Sequence, residues 1–442
     1  MRNFFKVGLA LLLGLSFCVP AFAAADDEVI QEVLGILKER GIVDNARYTE
    51  LMSKNETYSQ KHDKLLGRIE LSGDMRGRFE NFRYNQDAAG KTRSDRSRMR
   101  YRLRLKAKAE INRYIDAVFR IASGGGDPRS TNNTLGNGPD FMADPISIDM
   151  AYLQFNAPEE WLPATKATLR FGKTPNPFTW KEGKDYLVWD HDLNPEGAGV
   201  QLAARPEENL ELLLNTGYFI LTENSTSKNP SLFGLQAAAI YDVSQDFQMG
   251  VRSSWYKFSA LDPAFFAGPG RAVAFGNIPD GLTNGAPTRR NDGANVVSAT
   301  AFVRWNGIEE WPILVTGQFV RNLDAASSGL LSRAPGAEDT GWGASVEVGD
   351  KRKWVKAGLG YYHEEANYFP AQLTDSDLFD GFTNRRGWTL YLSRQIFANT
   401  DLDFTMFKSD AIRESLPDFA ASTLGGATGS RFRFQADIVV KF

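Results

Sequence analysis

The last twelve residues alternate in character. Phe432, Phe434, Ala436, Ile438, Val440 and Phe442 share one parity, while Arg431, Arg433, Gln435, Asp437, Val439 and Lys441 share the other. An extended strand turns successive side chains to opposite faces, so this segment has one greasy face and one mostly charged face. The same period begins near Arg68. Ile69, Leu71, Gly73, Met75, Gly77 and Phe79 alternate with Glu70, Ser72, Asp74, Arg76, Arg78 and Glu80. Met99, Tyr101, Leu103, Leu105, Ala107 and Ala109 then alternate with Arg98, Arg100, Arg102, Arg104, Lys106 and Lys108. Further runs centre near Phe119, Leu153, Leu169, Val200, Leu212, Ala237, Val251, Val303, Val315, Val346, Leu359, Leu390 and Phe404. With the terminal strand they make sixteen, and eighteen is the rival count.

The connections alternate in length. Short links such as Ile111–Arg113, Arg205–Asn209 and Asp242–Asp246 take turns with long polar ones such as Ser123–Ser147, Lys173–Glu196 and Glu364–Asn384. Short turns at one end and long loops at the other mark an up-and-down transmembrane barrel, with its greasy face on lipid and its wet face on a water-filled lumen. An open sheet edge in lipid would strand backbone N–H and C=O groups at several kcal/mol each, so the sheet must close. The pattern predicts an all-β fold, a closed antiparallel transmembrane β-barrel over residues 67–442, with outer-membrane lipid as its surroundings. An even strand count returns both termini to the periplasmic side.

Residues 24–66 follow another period. Ile30, Leu34 and Leu37 recur at helical spacing, Gly41 is placed to end that helix, and a second helical stretch runs from about Asp44 to Ser53. This segment reads as a short periplasmic helical leader, or as a helix that packs against its copies in an oligomer. Ahead of it, Arg2 and Lys6 precede an apolar stretch from Val7 to Val19 and an Ala21-Phe22-Ala23 cleavage site, so residues 1–23 read as a cleaved signal peptide. Export to the bacterial outer membrane follows. The single cysteine, Cys18, lies inside that segment, and the bulky Phe17 before it argues against a lipoprotein site. Without other cysteines the exported chain is not a disulfide scaffold.

Composition agrees with the barrel. Negative mean hydropathy with 12% aromatic residues and 40 glycines suits a chain in which only alternate strand residues touch lipid. The net charge of −3 carries little information, because both signs are abundant and are segregated by position. No basic, aromatic-interleaved patch points to nucleic acid, and no cofactor or metal is expected.

The most specific chemical feature is the basic ladder of the second strand. Arg98, Arg100, Arg102, Arg104, Lys106 and Lys108 would stand about 6.6–7 Å apart along one face. Arg76, Arg78, Arg120, Arg170, Arg252, Arg304 and Arg433 fall on the lumen parity of their own strands. Such a wall raises local anion concentration. The third long loop, 173–196, carries Glu182, Asp185, Asp190 and Asp192, with Trp180, Tyr186 and Trp189 as anchors and Lys173, Lys181 and Lys184 alongside. Folded inward, its acids would face the basic wall, narrow the pore and set a transverse field.

Several motifs carry a resemblance. The run from Gly124 to Leu135 (GGGDPRSTNNTL), Ala151-Tyr152-Leu153-Gln154, the run from Phe171 to Phe178 (FGKTPNPF) and the run from Trp189 to Gly197 (WDHDLNPEG) resemble the bacterial putative-porin family, as does the leader motif from Leu37 to Ile42 (LKERGI). The similarity spans the exported chain and is densest before residue 204. In layout the family is similar to the phosphate-selective porins, which have an N-terminal helical segment and a trimeric sixteen-stranded barrel. The resemblance implies a passive channel, a homotrimer and small hydrophilic or ionic solutes. It does not imply a substrate. A C-terminal strand ending in Phe442 also resembles the signal read by the barrel-assembly machinery.

The expected function is therefore an outer-membrane porin with a basic lumen wall, a constricting third loop and weak anion preference. The alternatives are a channel specific for an anionic solute such as phosphate, and an outer-membrane barrel hydrolase. His62, His191 and His363 are the only histidines. His191 lies between Asp190 and Asp192, and His363 precedes Glu364, so each has an acid beside it in sequence. Barrel hydrolases, however, resemble much shorter chains, and no catalytic residue is assigned. The roughly forty residues before the first strand are too few for the plug of an energy-coupled receptor. A lumen this charged argues against hydrocarbon transport.

Overall fold

Alternation at period two is realised in sixteen antiparallel strands of a computed structural model. They run Ile69–Tyr84 (β1), Arg96–Asn112 (β2), Ile115–Ser123 (β3), Ile146–Asn156 (β4), Thr165–Lys173 (β5), Glu196–Glu207 (β6), Leu210–Ile220 (β7) and Ser231–Asp242 (β8). The second half comprises Phe247–Ser259 (β9), Gly293–Trp305 (β10), Ile313–Asn322 (β11), Thr340–Val348 (β12), Lys356–Glu364 (β13), Arg385–Phe397 (β14), Thr400–Ala411 (β15) and Arg431–Lys441 (β16). The structure describes residues 34–40, 42–54, 68–84, 95–125, 127–179, 185–225, 228–261, 281–283, 286–288, 293–325, 338–413 and 429–442. The signal-peptide reading of residues 1–23, and the calls on Trp180, Lys181, Glu182 and Lys184, lie outside them.

Each strand pairs with the next, and β1 pairs with β16 in a register running from Asp74 opposite Lys441 to Tyr84 opposite Arg431. That last pairing closes the sheet and leaves it no edge in lipid. The strand count is sixteen, not eighteen. The remaining short strands stay outside the sixteen. Asn133–Thr134 pairs locally with Arg100 and Tyr101 of β2, and Gly281–Thr283 forms a separate hairpin with Ala286–Thr288.

The outward parity is apolar. Met75, Phe119, Leu153, Val251, Val315, Leu359 and Leu390 are all exposed. Exposed Trp161, Trp305, Trp311 and Trp354 sit at or beside short turns, and Trp255, Trp342 and Trp388 lie toward the long-loop end. Indole rings favour the membrane–water boundary, so the two groups mark the rims of the apolar band. No helix among the described residues is long and apolar enough to cross a membrane.

Residues 1–70 form a unit by themselves, apart from residues 71–442. Its described part is helical at 34–39 and 45–54. Asp44 caps the second helix by accepting the Arg47 backbone N–H at 2.7 Å, and Glu50 pairs with Arg47 and Lys54 one turn to either side.

The hydrophobic core lies inside the barrel. Inward residues of β7 to β13, including Phe219, Leu232, Tyr256, Phe258, Val296, Val320 and Tyr362, pack against Phe178, Leu187, Val188 and Trp189 of the third long loop. Tyr368, Phe369, Leu373, Leu378 and Phe379 of the seventh long loop, residues 365–384, complete the cluster. The lumen is therefore not wet on every side, as alternation alone suggested. Loops cover an apolar part of its wall, and the rest carries polar and charged groups.

Candidate functional site: a charged passage between the arginine wall and two inward loops

Two glycines set the path of the third loop. Gly172 at the end of β5 and Gly197 at the start of β6 have φ of +125° and +156°, conformations that side chains rarely adopt. A β-carbon there would lie 2.3 Å from the Ala151 carbonyl oxygen and 2.2 Å from that of Tyr218. Both glycines belong to the motifs FGKTPNPF and WDHDLNPEG. Between them, Phe178 is fully buried and contacts Phe219 and Tyr256 edge-on at centroid distances of 6.2 and 5.3 Å. Trp189 meets Tyr256 and Phe369 edge-on, each at 5.2 Å, and so joins the third loop to the seventh. Burial of several such rings, at roughly 1.5–3 kcal/mol each, holds both loops inside.

Polar contacts tie the loops together. The Asp190 backbone N–H donates to the Leu373 carbonyl at 3.0 Å, and the Asp190 carboxylate accepts the Ser376 N–H at 2.7 Å. Burial first, and then the nearby Asp375 and Asp192 carboxylates, hold the Asp190 carboxyl well above the usual range. His191 Nδ1 lies 3.5 Å from Asp375. The second long loop enters as well. Arg129, from the motif GGGDPRSTNNTL, is buried and donates to the Ala371 carbonyl at 3.0 Å, while Ser376 donates back to the Arg129 carbonyl at 3.1 Å.

The basic wall is present on the predicted parity, but it is paired with acids. Arg78 forms a two-pronged contact with Asp437 at 2.8 and 2.7 Å and reaches Asp377 of the seventh loop at 3.0 Å. Asp377 also accepts from Arg433 at 2.9 Å and Gln435 at 3.0 Å. Burial pushes the Asp377 carboxyl up, but Arg78, Arg433 and Arg76 outweigh it and hold the group well below the usual range. Arg98 bonds to Glu80, and Arg100 lies 3.8 Å from it. Arg76 donates to Asn132 at 2.7 Å. Arg102 and Arg104 share Asp74, at 2.8 and 2.6 Å, and approach Asp192 at 3.7 and 3.3 Å. Lys108 lies 3.6 Å from Asp116, Arg120 bonds to Asp149, and Arg170 bonds to Gln154 at 2.8 Å and to Gln201. Arg304 donates to Gln248 at 3.2 Å, and Lys106 lines a smaller space with Arg104 and Arg120.

Two expectations change. Arg252 is only 1% exposed and lies in the interior under the third loop, where it pairs with Asp185 at 2.6 Å and donates to Thr300 at 2.7 Å. Asp185 thus meets a cation on the far side from the ladder, and Asp190 serves the seventh loop. Of the third-loop acids that the structure describes, only Asp192 touches the basic ladder. An acidic loop opposed to an open basic wall is replaced by an interlocked charge network.

The residues overlooked in the sequence are Asp377 and Asp380, together with the wall acids Asp74, Glu80 and Asp437. The last three share the parity of Arg76, Arg78 and Arg433, so an alternation-based signal existed for them. Nothing local distinguishes Asp377 from other loop acids.

A space of about 630 Å³ lies between the wall and the loops. Arg76, Arg78, Arg102, Arg129, Arg304, Lys351 and Lys356 line it, against Asp190, Asp192, Glu347, Asp375, Asp377, Asp403 and Asp437. Seven cationic groups thus face seven carboxyls. Among the described residues, no group of His, Cys, Asp and Glu is arranged to hold a metal ion.

Comparison with known proteins agrees with this architecture. Residues 88–264 match the family described as "Putative porin". The fold is similar to that of OprB of Pseudomonas putida, solved at high pH, with a TM-score of 0.53 and 10% identity over 87% of this chain and 97% of that one. The outer membrane channel DcaP of Acinetobacter baumannii aligns with a TM-score of 0.44 and 12% identity over 85% of this chain and 97% of that one. No curated protein matches the sequence. Family and fold point to an outer-membrane channel rather than an enzyme. The matched residues 88–264 lie within a closed sixteen-stranded antiparallel barrel, a fold similar to that of the OprB structure.

Proposed function

We propose that the protein is a passive, water-filled channel of the outer membrane for ions and small hydrophilic solutes, narrowed by the third and seventh long loops and weakly anion-preferring. The observation that carries the reading is the charged space of about 630 Å³ between the arginine wall and the loops. Its seven cations and seven carboxyls favour hydrated ions over apolar solutes. The adjoining space toward the chain's end, lined by Arg102, Arg104, Lys106, Arg120 and Lys441 against Asp74, adds an excess of cations. A small excess of that kind gives a weak preference that salt screens. Planar-bilayer conductance with a reversal potential across a potassium chloride gradient tests this. Steady conductance with slight anion selectivity at low salt is expected, and a chain that inserts without conducting refutes the reading.

A homotrimer and insertion by the barrel-assembly machinery through Phe442 belong to the same proposal. The resemblance in layout to trimeric porins supports the first, and the terminal aromatic strand supports the second. Native mass spectrometry in detergent decides the copy number, and a solely monomeric species overturns the trimer.

A further inference from the structure

A second space, of about 280 Å³, lies at the long-loop end of the basic wall. Six guanidinium groups line it, from Arg96, Arg98, Arg100, Arg129, Arg431 and Arg433, against three carboxylates, Asp127, Asp377 and Asp380. The larger space has equal numbers of each sign, whereas cations outnumber carboxylates two to one in this vestibule.

Neighbouring acids do not cancel the excess, because each is shared. Glu80 contacts Arg98, Arg100 and Arg433 together. Asp380 divides between Arg431 at 3.2 Å and Arg433 at 3.4 Å, and Asp377 between Arg78 at 3.0 Å and Arg433 at 2.9 Å. A second observation points the same way. Ring faces hold the cations without using their N–H groups: Arg98 and Arg433 lie 5.0 and 5.1 Å from the centre of Phe82, and Arg431 lies 4.5 Å from that of Phe382.

We infer that this vestibule binds small oxyanions carrying two or more negative charges, either polycarboxylates or phosphate, ahead of their passage. Guanidinium forks match the paired oxygens of both, and the excess of cations over acids requires a multivalent partner. The inference rests on the channel reading and adds the class of solute that the channel concentrates.

The full-length protein is reconstituted in planar bilayers in potassium chloride, and acetate, succinate, citrate or inorganic phosphate is added. Concentration-dependent interruption of the current is expected from a multivalent anion and not from acetate. Arg96→Gln with Arg100→Gln should raise the half-blocking concentration about tenfold, the effect of losing roughly one charge-assisted hydrogen bond. Arg96→Lys should keep most of the block. Heat-modifiable gel migration verifies folding. If the double variant does not assemble, Arg96→Gln alone, at an exposed position, carries the test with a smaller shift. Block by the carboxylates alone or by phosphate alone supports the site and names its ligand. Equal block in the arginine variants, or no block by any of the four anions in a conducting channel, overturns the site and leaves the channel reading standing. Absence of conductance overturns both.

Discussion

Arg102 and Arg104 share two carboxylates, Asp74 and Asp192, so the four groups carry no net charge. Replacing both arginines by glutamine leaves two acids facing the passage. For an ion about 7 Å away in water, each acid contributes ~0.6 kcal/mol by Coulomb's law. The pair therefore favours a cation and opposes an anion by ~1.2 kcal/mol apiece, a discrimination of ~2.4 kcal/mol or roughly fifty-fold at very low salt. At about 0.15 M salt, screening over the same distance leaves ~1 kcal/mol, or about fivefold, and at about 1 M the effect falls below roughly twofold. The assay is the reversal potential across a potassium chloride gradient at these three ionic strengths, with heat-modifiable migration as the folding check. Lumen substitutions tune selectivity, whereas charges on the lipid face destabilise, so the double variant should still fold. Asp192→Asn, which removes the opposite charge, should shift selectivity toward anions. A low-salt reversal potential left unchanged by the double substitution would show that Arg102 and Arg104 stand off the permeation path.

Three further outcomes are expected. A β-carbon at Gly234 would lie 2.3 Å from the Phe178 ring, so Gly234→Ala should cost the third loop ~1–3 kcal/mol of docking energy and raise its proteolytic nicking, and unchanged nicking would count against the loop's packing role. The carboxyl of Asp190, raised in the fold, contributes stability that is full at low pH and lost as pH rises through its raised value, whereas that of Asp377, lowered in the fold, contributes stability that is lost only as pH falls through its lowered value. Loop docking should accordingly tolerate mild acid and weaken as pH rises, Asp190→Asn should flatten that change, and nicking that rises on mild acidification refutes both assignments. Leu390 faces outward at mid-strand, and Leu390→Arg should destabilise the barrel by ~2–4 kcal/mol in reversible refolding into lipid, with no loss meaning that this face does not meet the bilayer core.

Much of this architecture was legible in the sequence because a strand projects its pattern directly. Side-chain direction alternates with every residue, so parity alone assigned Arg76, Arg98, Arg102 and Arg433 to the inside and Met99, Leu105 and Phe119 to the outside. Loop lengths distinguished the two ends, and the need to satisfy every backbone group in lipid required closure. Sixteen strands followed from these local regularities.

What parity could not report is which inward residues meet water and which meet other parts of the chain. Phe219, Tyr256 and Phe258 break the expectation of a wet lumen because Phe178 and Trp189 arrive from a distant loop. Arg252 and Arg102 look alike in sequence, yet one is sealed against Asp185 and the other lines the passage beside Asp192. Asp377 meets Arg78 across a separation of 299 residues, and no periodicity records such a meeting. The sequence determined each residue's face, since that depends on neighbours along one strand. Only the closed barrel decided the charge balance of the pore, because ion pairing depends on distances that exist only once the loops fold back inside the wall.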